Sequence, residues 1–553
     1  MTGTPMLDAP TGFGGVFRTD AVARALYAEA AGIARVIPAA VAVPETRDDL
    51  VALVSHAATA GVTLVPRGSG SSMSGGAVGP GIVVDLSRWR AMGSVDVERR
   101  RIVVGPGVLR REVDEAARAV GLCFPVDPSS GAFCTIGGMV GTNAAGARTL
   151  GYGATRAWVH GLECVFADGS SAWIHRGAPI PALAIPRALG ACLADARARD
   201  AAPFHAGVRK ESSGYAIRAA VESGDLIDLL VGSEGTLALF TAIELVLAPV
   251  PADTPTVLGG FPDIEAAADA AIAARASGAV SCELLEETFL EVARRGEMPV
   301  PDGARAVLLA EYDGDSSRAA GAGAEGLAAD FRTHGATTVE VARSPERVAE
   351  LWALRHAASP ILSRLDPSLR SMQFIEDGCV PPEQFASYVA GVRVALAEAG
   401  VRGVLFGHAG DAHLHVNPLI DVRTTDWRER VRDLLDDVTG LVAELGGTLA
   451  GEHGDGRLRA PLLHRVWSAD ARAWFARVKQ AADPAGVLNA GAKVAAPHAE
   501  PWEAIKYDAE LRPLPSEARA VLTAVERERA WHRYRLDGVD SPRAAARRFS
   551  LRR

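Results

Sequence analysis

The sequence predicts a soluble protein of mixed helices and strands, divided into two or three domains that share an interface. Three observations carry that expectation. The chain has 553 residues, more than one core usually serves. Hydrophobic residues make up 48% of it, enough to fill large cores. Amphipathic stretches at helical spacing alternate with short apolar runs bounded by glycine and proline, and glycine-rich loops lie between those runs.

In chain order, residues 1–43 read as a helical lead-in, because Thr19 to Val36 spaces its apolar residues helically behind a Thr/Asp start. A capped helix from about Arg47 to Ala60 then stops at Gly61, and a strand from Thr63 to Val65 follows. Pro66 to Gly76 (PRGSGSSMSGG) is a loop with many backbone N–H groups and little side-chain obstruction, which suits diphosphate oxygens. It has neither the Lys-Ser/Thr ending of a P-loop nor a G-x-G-x-x-G that opens a helix, so neither ATP hydrolysis nor a Rossmann site is indicated. The apolar strand Gly81 to Asp85 argues against a mere linker. A second glycine-rich segment, Pro125 to Gly153, permits close approach of backbone to a planar, extended ligand. Val159 to Ala167 and the turn Asp168-Gly169-Ser170 read as a strand and hairpin. Leu229 to Ala248 reads as a turn around Gly232 to Gly235 followed by a strand.

Two polar knots carry the candidate chemistry. Phe406 to Pro418 (FGHAGDAHLHVNP) gathers His408, Asp411, His413, His415 and Asn417, and Gly451 to Arg459 (GEHGDGRLR) follows. Glycines and a proline argue against a helix in the first, so a turn running into a short strand is expected, with His413, His415 and Asn417 on one face. Imidazole and carboxylate groups serve a divalent metal or acid–base work near neutral pH, and the residues alone leave both open. Glu376-Asp377 reads as a turn or helix-cap device, and Arg430 to Asp437 as a charged helix face.

Bulk properties exclude several classes. A net charge of -9 offers nucleic acid no generic attraction. The scattered cysteines Cys123, Cys134, Cys164, Cys192, Cys282 and Cys379 form no C-x-x-C pair, against an iron–sulfur or zinc-ribbon module. No secretory signal or membrane-spanning apolar run is seen, so the expected location is the cytoplasm.

The ordered set PRGSGSSMSGG, DPSSGAFCTIGGMVGTNAAG, GSEGTLALFTAIEL, FGHAGDAHLHVNP, GEHGDG and Leu488-Asn489-Ala490-Gly491 resembles the FAD-linked D-2-hydroxy acid dehydrogenases of the vanillyl-alcohol oxidase flavoprotein superfamily, over about residues 44–494. This group includes D-lactate, glycolate and D-2-hydroxyglutarate dehydrogenases. The resemblance implies an α+β fold. An FAD-binding domain would span 44–250 and a cap 251–480, with a return to the FAD domain at 481–494 and a tail at 495–553. It implies FAD contacts at Pro66, Arg67, Gly68, Ser69, Gly70, Ser71, Ser72, Gly75 and Gly76. Further contacts would come from Asp127, Pro128, Thr135, Gly137, Gly138, Gly141, Thr142, Asn143 and Gly146, and from Glu234, Gly235, Ile243 and Asn489. Some relatives attach FAD through a histidine in the first glycine loop; that loop has none here, so non-covalent FAD is expected.

The resemblance also implies a divalent metal, zinc being the expected ion, on His408, His415 and Glu452. It implies a substrate-carboxylate anchor at Arg355, His453 as the base and Asn417 as an orienting group. A neutral imidazole of low pKa beside the cation is the expected state of His453. His413 stands where the family more often has asparagine, and its role stays open among ligand, substrate contact and loop residue. Gln373 stands near the place where D-2-hydroxyglutarate dehydrogenases carry a basic residue. Trp502 to Pro515 resembles the linker that leads longer relatives into an iron–sulfur domain, but the chain ends without cysteine. A separate electron acceptor, a protein or quinone, is therefore expected, and the tail is read as a docking element for it or as disordered. The remaining partner expectations are a small 2-hydroxy acid and a second copy in a homodimer.

Overall fold

The computed structural model describes residues 7–314, 316–356, 368–501 and 505–540. The first six residues, Trp502 and the arginine-rich end from 541 onward lie outside them.

A four-stranded sheet begins the fold, ordered Val16–Arg18, Ala40–Val43, Ile82–Asp85, Leu64–Arg67. The last three strands run parallel, so a helix must cross between them. That helix is Arg47–Ala60, begun by a capping box between Thr46 and Asp49 and ended by Gly61 at φ 65. Leu64–Arg67 then opens directly into the first glycine loop, at the C-terminal edge of the parallel strands.

Two expectations change here. The strand Ala40–Val43 is an inner member of this sheet, so the segment before residue 44 belongs to the same unit. Of Thr19 to Val36 only Ala21–Leu26 is helical. Beyond it the backbone bonds to the glycine loop instead: Ala31 N–H donates to Gly70 O at 3.0 Å and Gly32 N–H to Ser72 O at 3.2 Å. A Cβ at Gly32 would lie 2.0 Å from Met73 O, so only glycine permits this approach.

A second, antiparallel four-stranded sheet follows, ordered Arg101–Val104, Leu239–Val246, Val159–Val165, Ser171–His175. The helix Ile136–Thr142, capped by the Thr135 hydroxyl on Gly138 N–H, sets the second glycine segment beside it.

The chain then builds an eight-stranded antiparallel sheet from Thr256–Phe261 to His413–Asp421. Its inner strands Ser281–Glu286, Arg402–His408 and His413–Asp421 carry the polar cluster described below. The return to the first half comes before residue 481: Leu463, Trp467, Phe475 and Val478 share the core of the second sheet, and helix Ala469–Ala482 packs on Ala184–Ala198. Apolar periodicity on that helix needed a partner more than 250 residues earlier. Among the described residues no helix is long and apolar enough to cross a membrane.

The tail residues 505–540 are ordered. Leu514, Ala518, Leu522 and Leu536 share a core with Val41, Val43, Val65 and Val83, the face of the first sheet opposite Ala40, Leu64 and Val84. A parallel sheet needs cover on both faces, and the tail provides the second.

Candidate functional site

A cavity of about 870 Å³ lies between the glycine-rich segments, the polar knots and the tail. Of the first loop's predicted contacts all but Gly75 line it. From the second segment Pro128, Thr135, Gly137, Gly138, Gly141 and Thr142 do so, and Glu234 and Gly235 join them. Seven glycines lie in its wall. Gly68 lies so close to Thr135 that a Cβ would fall 2.1 Å from its hydroxyl, and Gly70 has φ +73. At Gly141 nothing stands within 4 Å of an added Cβ, which leaves room for a ligand against bare backbone. The volume and this glycine cradle fit an extended dinucleotide such as FAD.

The other six predicted residues stand behind that wall. Gly75, at φ +80, gives its carbonyl to Arg457 at 3.4 Å. Asp127 faces Arg110 and Arg148 at 3.5 and 3.8 Å. Asn143, at φ 53, accepts Arg156 N–H at 2.9 Å. Gly146 is pressed on the Asp127 carbonyl, Ile243 is in the core, and Asn489 donates to Gly76 O at 3.1 Å and Glu234 O at 2.7 Å. They shape the wall without forming its surface.

The histidine cluster arises from the hairpin. Arg402–His408 pairs with His413–Asp421 so that Phe406 faces His415 and His408 faces His413, making His408 and His415 diagonal neighbours. Their Nε2 atoms lie 3.3 Å apart, and Glu452 Oε1 lies 3.5 and 3.4 Å from them. The other ring nitrogens fix the tautomers. His408 Nδ1 points at Glu283 Oε1 at 2.5 Å, and His415 Nδ1 donates to the Glu376 carbonyl at 3.0 Å. Both Nε2 lone pairs and a carboxylate oxygen thus converge in a buried spot. Such a donor set fits a divalent cation.

His413 is wholly buried; its Nε2 meets Asp377 Oδ1 at 2.9 Å and its Nδ1 has no partner. Burial pushes its proton affinity down to about 3, so it is neutral at physiological pH. His408, His413, His415 and Glu452 together offer ligand atoms all within 4.8 Å of one another.

His453 lines the cavity beside Glu452 and stacks on His415 with ring centroids 5.5 Å apart. Its Nδ1 faces Glu376 Oε1 at 3.2 Å and its Nε2 faces Glu452 Oε1 at 3.5 Å. Burial lowers its proton affinity, but Asp377, Glu376 and Glu452 outweigh it and raise the pKa to about 9. The low pKa expected from a neighbouring cation alone left these acids out.

Glu376 and Asp377 are correspondingly not a turn device. Both are buried, both face Arg459, and Asp377 also receives the backbone N–H of His453 at 2.9 Å. Although burial opposes ionisation, Arg459 and His453 bring Glu376 down to about 2.

The two remaining predicted catalytic residues stand one step back from the cavity. Arg355 lies over the Phe406 ring at 4.7 Å and gives its Nε to Glu283 at 2.8 Å, whose other oxygen holds His408. Asn417 Oδ1 accepts from Gln373 Nε2 at 2.9 Å, and it is Gln373 that reaches the cavity. Sequence reasoning missed Glu283 and Lys210. The Lys210 ammonium is buried between Glu452 Oε2 at 3.2 Å and the Gly146 carbonyl at 3.1 Å. In a chain whose cations are nearly all arginine, Lys210 was a signal that could have been used.

An FAD binding domain family matches residues 38–174, and the family "FAD linked oxidases, C-terminal domain" matches 250–492. The glycolate oxidase subunit GlcD of Bacillus subtilis is 32% identical over 460 residues, 82% of this chain and 88% of that one. The D-lactate dehydrogenase of Archaeoglobus fulgidus is 29% identical, covering 81% of this chain and 89% of that one. The D-2-hydroxyglutarate dehydrogenase of Escherichia coli is 28% identical over 90% of this chain but only 52% of its own length. Among solved structures, 4-ethylphenol oxidase from Gulosibacter chungangensis shares the fold with a TM-score of 0.63 at 16% identity, covering 87% of this chain and 94% of that one. With a relative above 30% identity spanning most of both chains, and the flavin and cap families matched in order, the chain belongs to the FAD-linked D-2-hydroxy acid dehydrogenase family, on a vanillyl-alcohol-oxidase-type fold.

Proposed function

We propose that the chain oxidises a D-2-hydroxy acid to the 2-oxo acid, with non-covalent FAD as oxidant and a divalent metal, zinc being the expected ion, on His408, His415 and Glu452. The observation that carries this reading is that Glu452 and His453 belong to two neighbourhoods at once, the wall of the glycine-lined cavity and the histidine cluster. A substrate at that junction touches both. FAD supplies the hydride acceptor at its flavin ring, and the metal supplies Lewis acidity toward the substrate oxygen.

The chain's own residues do the rest. Glu376 accepts a hydrogen bond from His453 Nδ1, which leaves Nε2 to take the hydroxyl proton. The flanking carboxylates, two of them held ionised by Arg459, raise its pKa to about 9, so the neutral form whose Nε2 accepts the proton gains population as pH rises toward 9. Glu283 orients His408 and holds Arg355, the residue assigned to the substrate carboxylate. Asn417 holds Gln373 at the cavity wall. Electrons leave to a separate acceptor, a protein or quinone.

The test is anaerobic mixing of the yellow enzyme with D- and L-lactate, glycolate and D- and L-2-hydroxyglutarate. Bleaching of the flavin absorbance by the D acids is expected. Bleaching by none of the panel would overturn the reading and leave a flavin-binding subunit without dehydrogenase chemistry.

A further inference from the structure

The cap family match ends at residue 492, yet side chains from the segment 505–540 line the flavin cavity. That segment is firmly attached. Ile505 pairs with Ala34, Arg519 grips the buried Glu29 through both nitrogens at 3.0 and 2.6 Å, and Arg535 donates to Ser69 O at 3.0 Å. The last bond ties the tail to the first glycine loop itself. Helix Ser516–Glu528 ends at Arg529, whose φ of 50 turns the chain back toward Trp531. Arg529 and Trp531 thereby enter the same cavity wall as Gly68 to Ser72, and the Arg529 guanidinium lies 5.5 Å over the Phe133 ring. Trp531 is packed to 8% exposure, with Arg535 over its ring at 5.3 Å.

A cation and a flat apolar face beside a glycine/serine loop suit a phosphate joined to an aromatic base. Glu452, His453 and Gln373 mark the other chemistry of the cavity, the part that meets the histidine cluster. We propose that residues 505–540 form a strap that belongs to the cofactor site, with Arg529 contacting the adenosine-side phosphate and Trp531 the adenosine half of bound FAD. This rests on FAD binding by the chain and not on which hydroxy acid it oxidises.

Full-length Arg529→Gly and Trp531→Ala test it, with Arg533→Ala as control. Glycine at 529 removes the guanidinium and suits the positive φ, so the fold is not strained. Arg533 lies on the same turn but pairs with Glu528, at 2.7 Å, and its side chain is 61% exposed. Each protein is stripped of flavin and titrated with FAD, ADP and FMN, and the melting temperature of the stripped form is recorded. Arg529→Gly and Trp531→Ala should each raise the FAD and ADP dissociation constants about tenfold, leave FMN within about twofold, and leave Arg533→Ala unchanged. Unchanged FAD and ADP affinity in both variants overturns the proposal, and so does weakening confined to FMN. A lower melting temperature in Trp531→Ala with normal affinities would make the strap purely structural. Colour that stays with acid-precipitated protein would also overturn it, because a covalently tethered cofactor needs no strap.

Discussion

The two halves of the site are made of different material. The loop side of the flavin cavity is lined by glycine backbone, where Gly68, Gly70 and Gly137 lie against neighbours that a Cβ would strike. The cap cluster is made of buried side-chain charge: Glu283 on His408 and Arg355, Glu376 and Asp377 on Arg459, Lys210 on Glu452. A backbone site tolerates side-chain exchange and rejects an added methyl group. A site of paired charges does the reverse, because losing one member strands the other in a low dielectric.

The largest effects should therefore fall on the cap side and spare the flavin. His453→Ala is expected to lower turnover by about 10³-fold, within the range for losing a general base, while the purified protein keeps its full flavin absorbance. His408→Ala should remove the metal, read by elemental analysis, and cut turnover at least about 100-fold with flavin again retained. Loss of flavin from either variant would mean that the halves are not separable. Next comes Arg459→Met, which leaves Glu376 and Asp377 facing only His453 and His413 among the described residues and should cost about 3–5 kcal/mol in urea unfolding. Adding Glu376→Gln and Asp377→Asn to that variant should recover part of the loss, because no unpaired carboxylate is then left. No recovery would show that Arg459 acts through its shape.

The same contrast decides what could be read from the sequence. Helix Arg47–Ala60 was legible to the residue because Thr46, Asp49 and Gly61 signal its ends locally. The glycine loops were legible for a similar reason, since a backbone site needs contiguous small residues. His408, His415 and Glu452 came through as motifs. Glu283 did not, because its partner His408 lies 125 residues away and nothing near Glu283 announces the pairing. Glu376 and Asp377 were seen and misread, because Arg459 stands 83 and 82 residues on. Of the two readings of the tail, disorder fails over 505–540 for the same reason, the partner of that segment being the far face of the first sheet.

On the flavin side the larger response belongs to the smaller change. Gly70→Ala adds one carbon at φ +73, and that carbon would fall 2.4 Å from the Arg67 guanidinium. Arg67 is buried and donates to the Glu29 carbonyl at 2.9 Å, so it cannot swing aside freely. A loss of about 1–3 kcal/mol in stability and at least about tenfold in FAD affinity is expected, measured by thermal unfolding and FAD titration.

Ser71→Ala, three atoms away in the same loop, should do almost nothing. The Ser71 hydroxyl meets the Ser69 hydroxyl at 3.1 Å, and neither is needed to shape the loop. The shape is set by Ala31 N–H on Gly70 O and Gly32 N–H on Ser72 O, bonds that alanine leaves untouched. A hydrogen bond of this kind contributes about 0.5–1 kcal/mol net, so FAD affinity should stay within about threefold to fivefold. A hundredfold loss would make the serine side chains the phosphate ligands, and the flavin side would then be a site of side chains like the cap.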